Sequence, residues 1–262
     1  MKLCMLMENT SSRPDLIAEH GLSLYIETKN HKILFDAGQS DAFAQNAERM
    51  GIDLSCVDIA FLSHGHYDHS GGLMKFLEVN DHAPIYMNAR AFGDYWHGED
   101  HFIGVDPQLK NHPRIRLTDG DVRIDEELSL HTCNELPRPF PSSGAGLTQR
   151  RSERFFPDEF LHEQYLTVAE NGRRVVISGC SHKGILNITK WLCPDVLIGG
   201  FHFMKVDPDA RKAELEEAAH TLLSSPARFY TCHCTGEAQY AVMKRHMGDR
   251  LHYLRAGDSL SL

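Results

Sequence analysis

Apolar positions fall into two patterns along the chain. Near the N-terminus they come in short runs: KLCMLM (2–7), LSLYIET (22–28) and KILFDAG (32–38). These read as strands, the last two joined across the turn KNHK (29–32). In SDAFAQNAERMG (40–51) the apolar residues take helical spacing, and Gly51 is placed to end the helix. VDIAFLS (57–63) then reads as a buried strand, GGLMKFLEVN (71–80) as a helix and APIYMN (83–88) as a strand. The second half repeats this grammar. EQYLTVAE (163–170), NGRRVVISGC (171–180), PDVLIGGFH (194–202) and ARFYTCHC (227–234) read as strands. KGILNITKWL (183–192), DARKAELEEAAHTLLS (209–224) and TGEAQYAVMKRHMG (235–248) read as helices, and LHYLRAGDSLSL (251–262) closes as a short strand pair. Hairpins followed by strand–helix units, twice over, predict two sheets packed together with helices outside.

The middle breaks the pattern. Residues 88–112 are rich in His, Asp and aromatics, and residues 134–160 in Pro, Gly, Ser and Arg. Both read as long loop insertions in one domain spanning 1–262, and loops of that length are often functional. No internal repeat of short period is visible.

Composition narrows the function classes. Charged residues are 24% and hydrophobic ones 42% of 262, as in an ordinary globular protein. The net charge of -9 counts against a nucleic-acid or anionic-membrane partner and leaves a small molecule as the expected one. The first apolar run is shorter than a signal-peptide core, and no stretch approaches ~20 apolar residues, so a cytoplasmic protein is expected. Seven cysteines, scattered and odd in number, argue against a disulfide framework. Cys232 and Cys234 stand too close for the usual zinc-ribbon spacing.

The densest chemistry is IAFLSHGHYDHSGGL (59–73), where His64, His66, Asp68 and His69 follow an apolar run. His64 and His66 alternate, so an extended backbone points both to one side. Three nitrogen donors and one oxygen donor suit Zn²⁺, or Fe or Mn.

The motif HGHYDH (64–69), an H-x-H-x-D-H followed by Gly-Gly, resembles that of the metallo-β-lactamase fold superfamily. MENT (7–10), EHGLSLYIET (19–28), ILFDAGQS (33–40), HEQYLTV (162–168), SGCSHKGI (178–185), GGFH (199–202) and CHCTG (232–236) extend the resemblance over nearly the whole chain. Together they resemble a branch described as metal-dependent hydrolases or as dihydropterin ribofuranosyl-aminobenzene phosphate synthase-like proteins. The resemblance implies an α/β fold, an αββα sandwich with its site at the sheet ends. It implies one metal on His64 and His66 and a second on Asp68 and His69. His233 matches the superfamily's last metal-binding histidine, and Asp36 its early aspartate, which supports the ligands from behind; a plain turn Asp is the other reading of Asp36.

The chain also departs from that pattern. The usual bridging Asp is absent, and SGCSH offers Cys180 and His182 instead. No Pro-Gly-His precedes the preceding strand, although His162 lies nearby. We expect His182 to coordinate metal. Cys180 is either a thiolate ligand in place of the carboxylate or a small buried residue. His162 is either a ligand or a strand-edge histidine. His202 is expected to meet substrate or move a proton, and His20 to reach the same face. His82, His97, His101, His112, His220, His246 and His252 read as ordinary surface residues. Arg138, Arg150, Arg151 and Arg154 grip a substrate phosphate if their loop lids the site, and are solvated otherwise.

One or two divalent ions, Zn first, lower the pKa of bound water to ~7, so the expected reaction is attack of metal-bound hydroxide on an ester, lactone, thioester or phosphoester. Asp68 would aim the hydroxide, and His202 would supply the leaving group's proton. Two alternatives stay open: a pterin-transferring synthase and a non-enzymatic metal or ligand sensor. The oligomeric state is not fixed by the sequence.

Overall fold

The computed structural model describes residues 1–142, 144 and 146–262. The first sheet is built from β1 (Lys2–Met7), β2 (Ser23–Glu27), β3 (Lys32–Phe35), β4 (Ile59–Phe61) and β5 (Ile85–Asn88). Its first members pair as antiparallel neighbours, and β3, β4 and β5 run parallel. The parallel connections carry α1 (Ala42–Arg49) between β3 and β4, and α2 (Tyr67–Ser70) with α3 (Leu73–Val79) between β4 and β5.

Alternation along each strand explains the layers. Leu3, Met5, Leu24, Ile26, Ile33 and Phe35 face a central apolar layer. Their neighbours Cys4, Leu6, Tyr25 and Leu34 face α1 and α3 together with Phe43, Ala47, Leu73 and Phe76. Strands buried on both faces read as unbroken apolar runs, which is why KLCMLM shows no polar alternation.

The second sheet supplies the other side of the central layer. It contains β9 (Val122–Arg123), β10 (Leu128–His131), β13 (Tyr165–Glu170), β14 (Arg173–Ile177), β15 (Val196–Ile198), β16 (Arg228–Thr231) and β17 (Leu251–Tyr253). Val175, Ile177, Val196 and Ile198 join the central layer. Val176 and Leu197 point the other way, onto α4 (Ile185–Leu192), α5 (Lys212–Leu223) and α6 (Glu237–Met247). Three apolar layers between four structural layers make the αββα sandwich that the sequence predicts.

Two expectations change. The segments 88–112 and 134–160 are not plain loops, although Ser143 and Ala145 of the second lie outside the described residues. β6 (Tyr95–His97), β7 (His101–Phe102), β11 (Leu147–Arg151) and β12 (Arg154–Pro157) form a separate four-stranded sheet, and β8 (Ile115–Thr118) extends the first sheet beside β5. The turn of the β11–β12 hairpin is Ser152–Glu153, both at positive φ, without the Gly or Asn that announces such turns. Trp96 holds this sheet together, with Phe102 and Phe155 rings 5.6 and 5.7 Å away. The closing strand pair does not form either. β17 lies parallel to β16, whereas β18 (Ser259–Ser261) crosses to pair with β1 of the other sheet. Among the described residues, no helix is long and apolar enough to cross a membrane.

Candidate metal centre

The carboxyl ends of the parallel strands of both sheets converge. Asp36 follows β3, Ser63 and His64 follow β4, Cys180 follows β14, His202 follows β15 and His233 follows β16. In open α/β sheets this edge is where ligands bind. Asp36, Ser181, His202 and His233 all stand at φ between 50° and 59°, a conformation that costs a non-glycine residue about 1–3 kcal/mol and clusters at functional sites. The sheets approach closely here. A Cβ added to Gly179 would lie 2.2 Å from Ser63 Oγ, so only glycine fits.

Asp36 organises the histidines. Its Oδ1 accepts the Ser63 backbone N–H at 2.7 Å. Its Oδ2 accepts the Ser63 hydroxyl and His69 Nδ1–H, each at 2.7 Å. The carboxylate only accepts, so the one hydroxyl hydrogen of Ser63 is spent on it. His64 Nδ1, 2.8 Å from Ser63 Oγ, must therefore carry the proton and donate. His233 Nδ1 lies 2.8 Å from Asn9 Oδ1, an acceptor that fixes the same tautomer. In the neutral rings of His64, His69 and His233 the Nε2 lone pair is thus left to bind an ion, the arrangement that metal-binding histidines need.

Those lone pairs meet in two groups. His64, His66 and His182 form the first, with His64 Nε2 3.2 Å from His182 Nε2. Asp68, His69, Cys180 and His233 form the second. There His69 Nε2 lies 3.2 Å from Cys180 Sγ and 3.6 Å from Asp68 Oδ2, and His233 Nε2 lies 3.3 Å from the same oxygen. All seven residues are buried. His66 Nε2 and His233 Nε2 are buried without a hydrogen-bond partner among the described residues. Orphaned nitrogens beside a carboxylate and a thiol fit a divalent cation, and either group could hold one.

The electrostatics agree with that fit. Burial, reinforced by neighbouring imidazoles, holds His64 and His182 well below the usual histidine range and takes His66 to about 3. Burial also takes His233 to about 4, although Asp68 pulls the other way. Burial would raise Asp68, but His69, His20 and His233 hold it well below the usual carboxylate range. Burial would lower His69, but Asp68 and Asp36 raise it. Most of the imidazoles are therefore neutral donors around an ionised carboxylate, the protonation state metal binding requires. Burial pushes the Cys180 thiol well up, with Cys234 and Asp68 adding to the effect.

A cavity of about 300 Å³ opens over both groups, with His20 and His202 in its walls. His20 Nε2 lies 3.3 Å from Asp68 Oδ2, and the His202 ring is 4.3 Å from that of His182. His162 is brought to the centre with both nitrogens engaged. Its Nδ1 accepts the Gly65 N–H at 2.8 Å and its Nε2 meets Asp158 Oδ2 at 3.0 Å, which braces the His64–His66 loop.

The arginines are not brought there. Arg138 donates to the Glu159 carbonyl. Arg150 is held by Asp94 at 2.7 Å with its guanidinium 5.1 Å over Trp96, and Arg151 meets Gln149 and Glu159. Arg154 is exposed on β12. None lines the cavity, because their segment folds as a hairpin that presents Leu147 instead. His97 and His101, read as surface residues, line the cavity from the added sheet, and Lys205 lines it from the loop after β15. Nothing local in the sequence marks them, since only the third sheet carries β6 and β7 to the rim.

An αββα sandwich with two adjacent groups of buried histidine, aspartate and cysteine side chains at its sheet ends defines a candidate metal-binding scaffold. The family model of the metallo-beta-lactamase superfamily matches residues 17–183, and the chain belongs to that superfamily. It is 27% identical over 242 residues to an uncharacterised protein of Methanocaldococcus jannaschii, covering 88% of this chain and 90% of the other. It is also 27% identical over 266 residues to the 7,8-dihydropterin-6-methyl-4-(beta-D-ribofuranosyl)-aminobenzene-5'-phosphate synthase of the same organism, covering 90% and 88%. The crystal structure of a metal-dependent hydrolase of the beta-lactamase superfamily superposes with a TM-score of 0.85 at 28% identity, over 100% of this chain and 99% of the other.

Proposed function

We propose that this chain is a metal-dependent hydrolase acting on an ester-type bond of a small molecule. The observation that carries this reading is the pair of adjacent buried donor groups beneath one cavity. His64, His66 and His182 would hold one divalent ion, and Asp68, His69, Cys180 and His233 a second. Nitrogen donors with one thiol favour zinc over harder ions. A bound ion supplies Lewis acidity and makes water nucleophilic near neutral pH.

The chain's own residues do the rest. Asp68, ionised and flanked by His20, His69 and His233, aims the attacking water by accepting its hydrogen bond. His202, in the loop after β15 with its ring against that of His182, gives a proton to the leaving oxygen. Asp36 and Ser63 keep His64 and His69 in one tautomer, so the donors need no rearrangement during turnover. Leu147 and Ile103 screen the site from bulk water on the side of the added sheet. The cytoplasm is the compartment we assign, since reduced thiols suit a Cys180 ligand.

Metal analysis of protein purified without chelator, followed by a screen of phosphodiesters, phosphomonoesters, lactones and thioesters, tests this reading. Turnover that disappears with a chelator and returns with zinc supports it. His66→Ala should lose metal from the first group and lose turnover while its circular dichroism stays near wild type, because the apolar layers do not include the site. Unchanged metal content in that variant refutes the assignment. The 27% relative supports a second reading, a pterin-transferring synthase. Inertness toward water, with product formed from a pterin diphosphate and an aryl acceptor, would favour it.

A further inference from the structure

A second cavity, of about 190 Å³, shares His182 and His202 with the cavity over the donor groups. Its other walls are mostly apolar: Phe140, Ile185, Leu186, Phe201, Phe203 and Val206. The loop after β15 serves both spaces, since Phe201, Phe203 and Val206 wall the second cavity while Met204 and Lys205 line the first. Phe201 N–H donates to Thr235 Oγ1 at 2.8 Å, and Val206 N–H to the Phe203 carbonyl at 2.8 Å, so this loop is hydrogen-bonded in place. An apolar cavity of about 150 Å³ lined by Leu, Ile and Phe stays dry and takes benzene. The space here is a little larger and, unlike that closed cavity, opens to solvent beside the exposed Glu214 and Glu217; three of its walls are phenyl rings, which favour edge or offset contact with another ring.

We infer that this second cavity binds the neutral aryl group of the substrate, with the bond to be broken lying beyond His202 over the donor groups. Glu214 and Glu217 on the lining disfavour a carboxylate on that ring. The inference deepens the hydrolase reading by naming a substrate class, neutral aryl esters, and its binding arm stands without that reading.

The test uses zinc-loaded protein with labelled Ile, Leu and Val methyls and benzyl alcohol as the probe. Saturable shifts confined to Ile185, Leu186 and Val206 are expected. Filling the space from α5 with Ala218→Met should weaken binding by about tenfold or more, and Thr221→Phe repeats this from a half-buried position if the first variant folds poorly. Hexanol shifting the same methyls with equal affinity overturns the aryl assignment, as does benzoate matching benzyl alcohol. In the activity arm, phenyl acetate should show a lower KM than ethyl acetate, and Ala218→Met should remove the difference. Hydrolysis without ring preference and without methyl shifts sinks the pocket and leaves the hydrolase. Methyl shifts without hydrolysis of any ester keep the pocket and sink the hydrolase.

Discussion

Replacing Asp36 with Asn changes one oxygen to an amide nitrogen at constant volume, and the consequence can be followed atom by atom. Asp36 accepts three hydrogen bonds at 2.7 Å, one on Oδ1 and two on Oδ2. If the amide oxygen stays on the Ser63 N–H, the new NH₂ faces the Ser63 hydroxyl and His69 Nδ1, both former donors. His69 Nδ1 must then accept, which moves its proton to Nε2. The Ser63 hydroxyl must turn to donate to His64 Nδ1, which moves that proton to Nε2 as well. Both lone pairs facing Cys180 and His182 are lost together. The opposite amide rotamer leaves the buried Ser63 N–H against an NH₂, a conflict worth about 1–3 kcal/mol. Loss of an outer partner of this kind typically weakens metal affinity by about 10–100-fold, or ~1.4–2.7 kcal/mol. Zinc competition against a chromophoric chelator should report that loss. Nitrogen spectra of the metal-free imidazoles should show His64 and His69 in the reversed tautomer. Two-site affinity within about twofold of wild type, with both tautomers unchanged, would refute the reasoning.

Three further outcomes are expected. Gly179→Ala places a Cβ 2.2 Å from Ser63 Oγ and should cost about 1–3 kcal/mol in urea unfolding, so an unchanged midpoint would mean that the strand ends can part freely. Cys180→Ser should bind zinc more weakly in the group with Asp68, His69 and His233; identical two-site binding in both proteins removes the thiol from the ligand set. Burial lowers the His31 imidazole, but hydrogen bonds to Asp58 at 2.9 Å and Asp125 at 2.7 Å outweigh it, so its pKa is raised. Its contribution to stability is therefore full below about pH 6.5 and is lost as the pH rises through the raised value. The gap in urea midpoint between wild type and His31→Gln should shrink from pH 6 to about pH 8, and a gap that widens would reverse the sign.

The sequence by itself determined the sandwich and one half of the centre. Runs such as KLCMLM and RRVVIS are apolar on both faces, and that pattern has few stable solutions besides a strand between two packed layers. HGHYDH is legible because its donors are neighbours in the chain; the resemblance it carries placed His233 and Asp36 near it, and His182 was expected there from SGCSH, where the chain departs from that pattern. What lies at the rim was decided by tertiary structure. The β6–β7 and β11–β12 hairpins are short and half-exposed, and the second turns at Ser152–Glu153 without glycine, so they read as loops. Only their pairing with each other brings His97, His101 and Leu147 to the cavity and turns the arginines away onto Asp94, Trp96 and Glu159. The tautomer chain through Asp36, Ser63, His64 and His69 was also invisible in sequence, because its links are hydrogen bonds of 2.7–2.8 Å between side chains brought together from separate strand ends. Local pattern carries burial and spacing, whereas the direction of a proton is set by which strand ends meet.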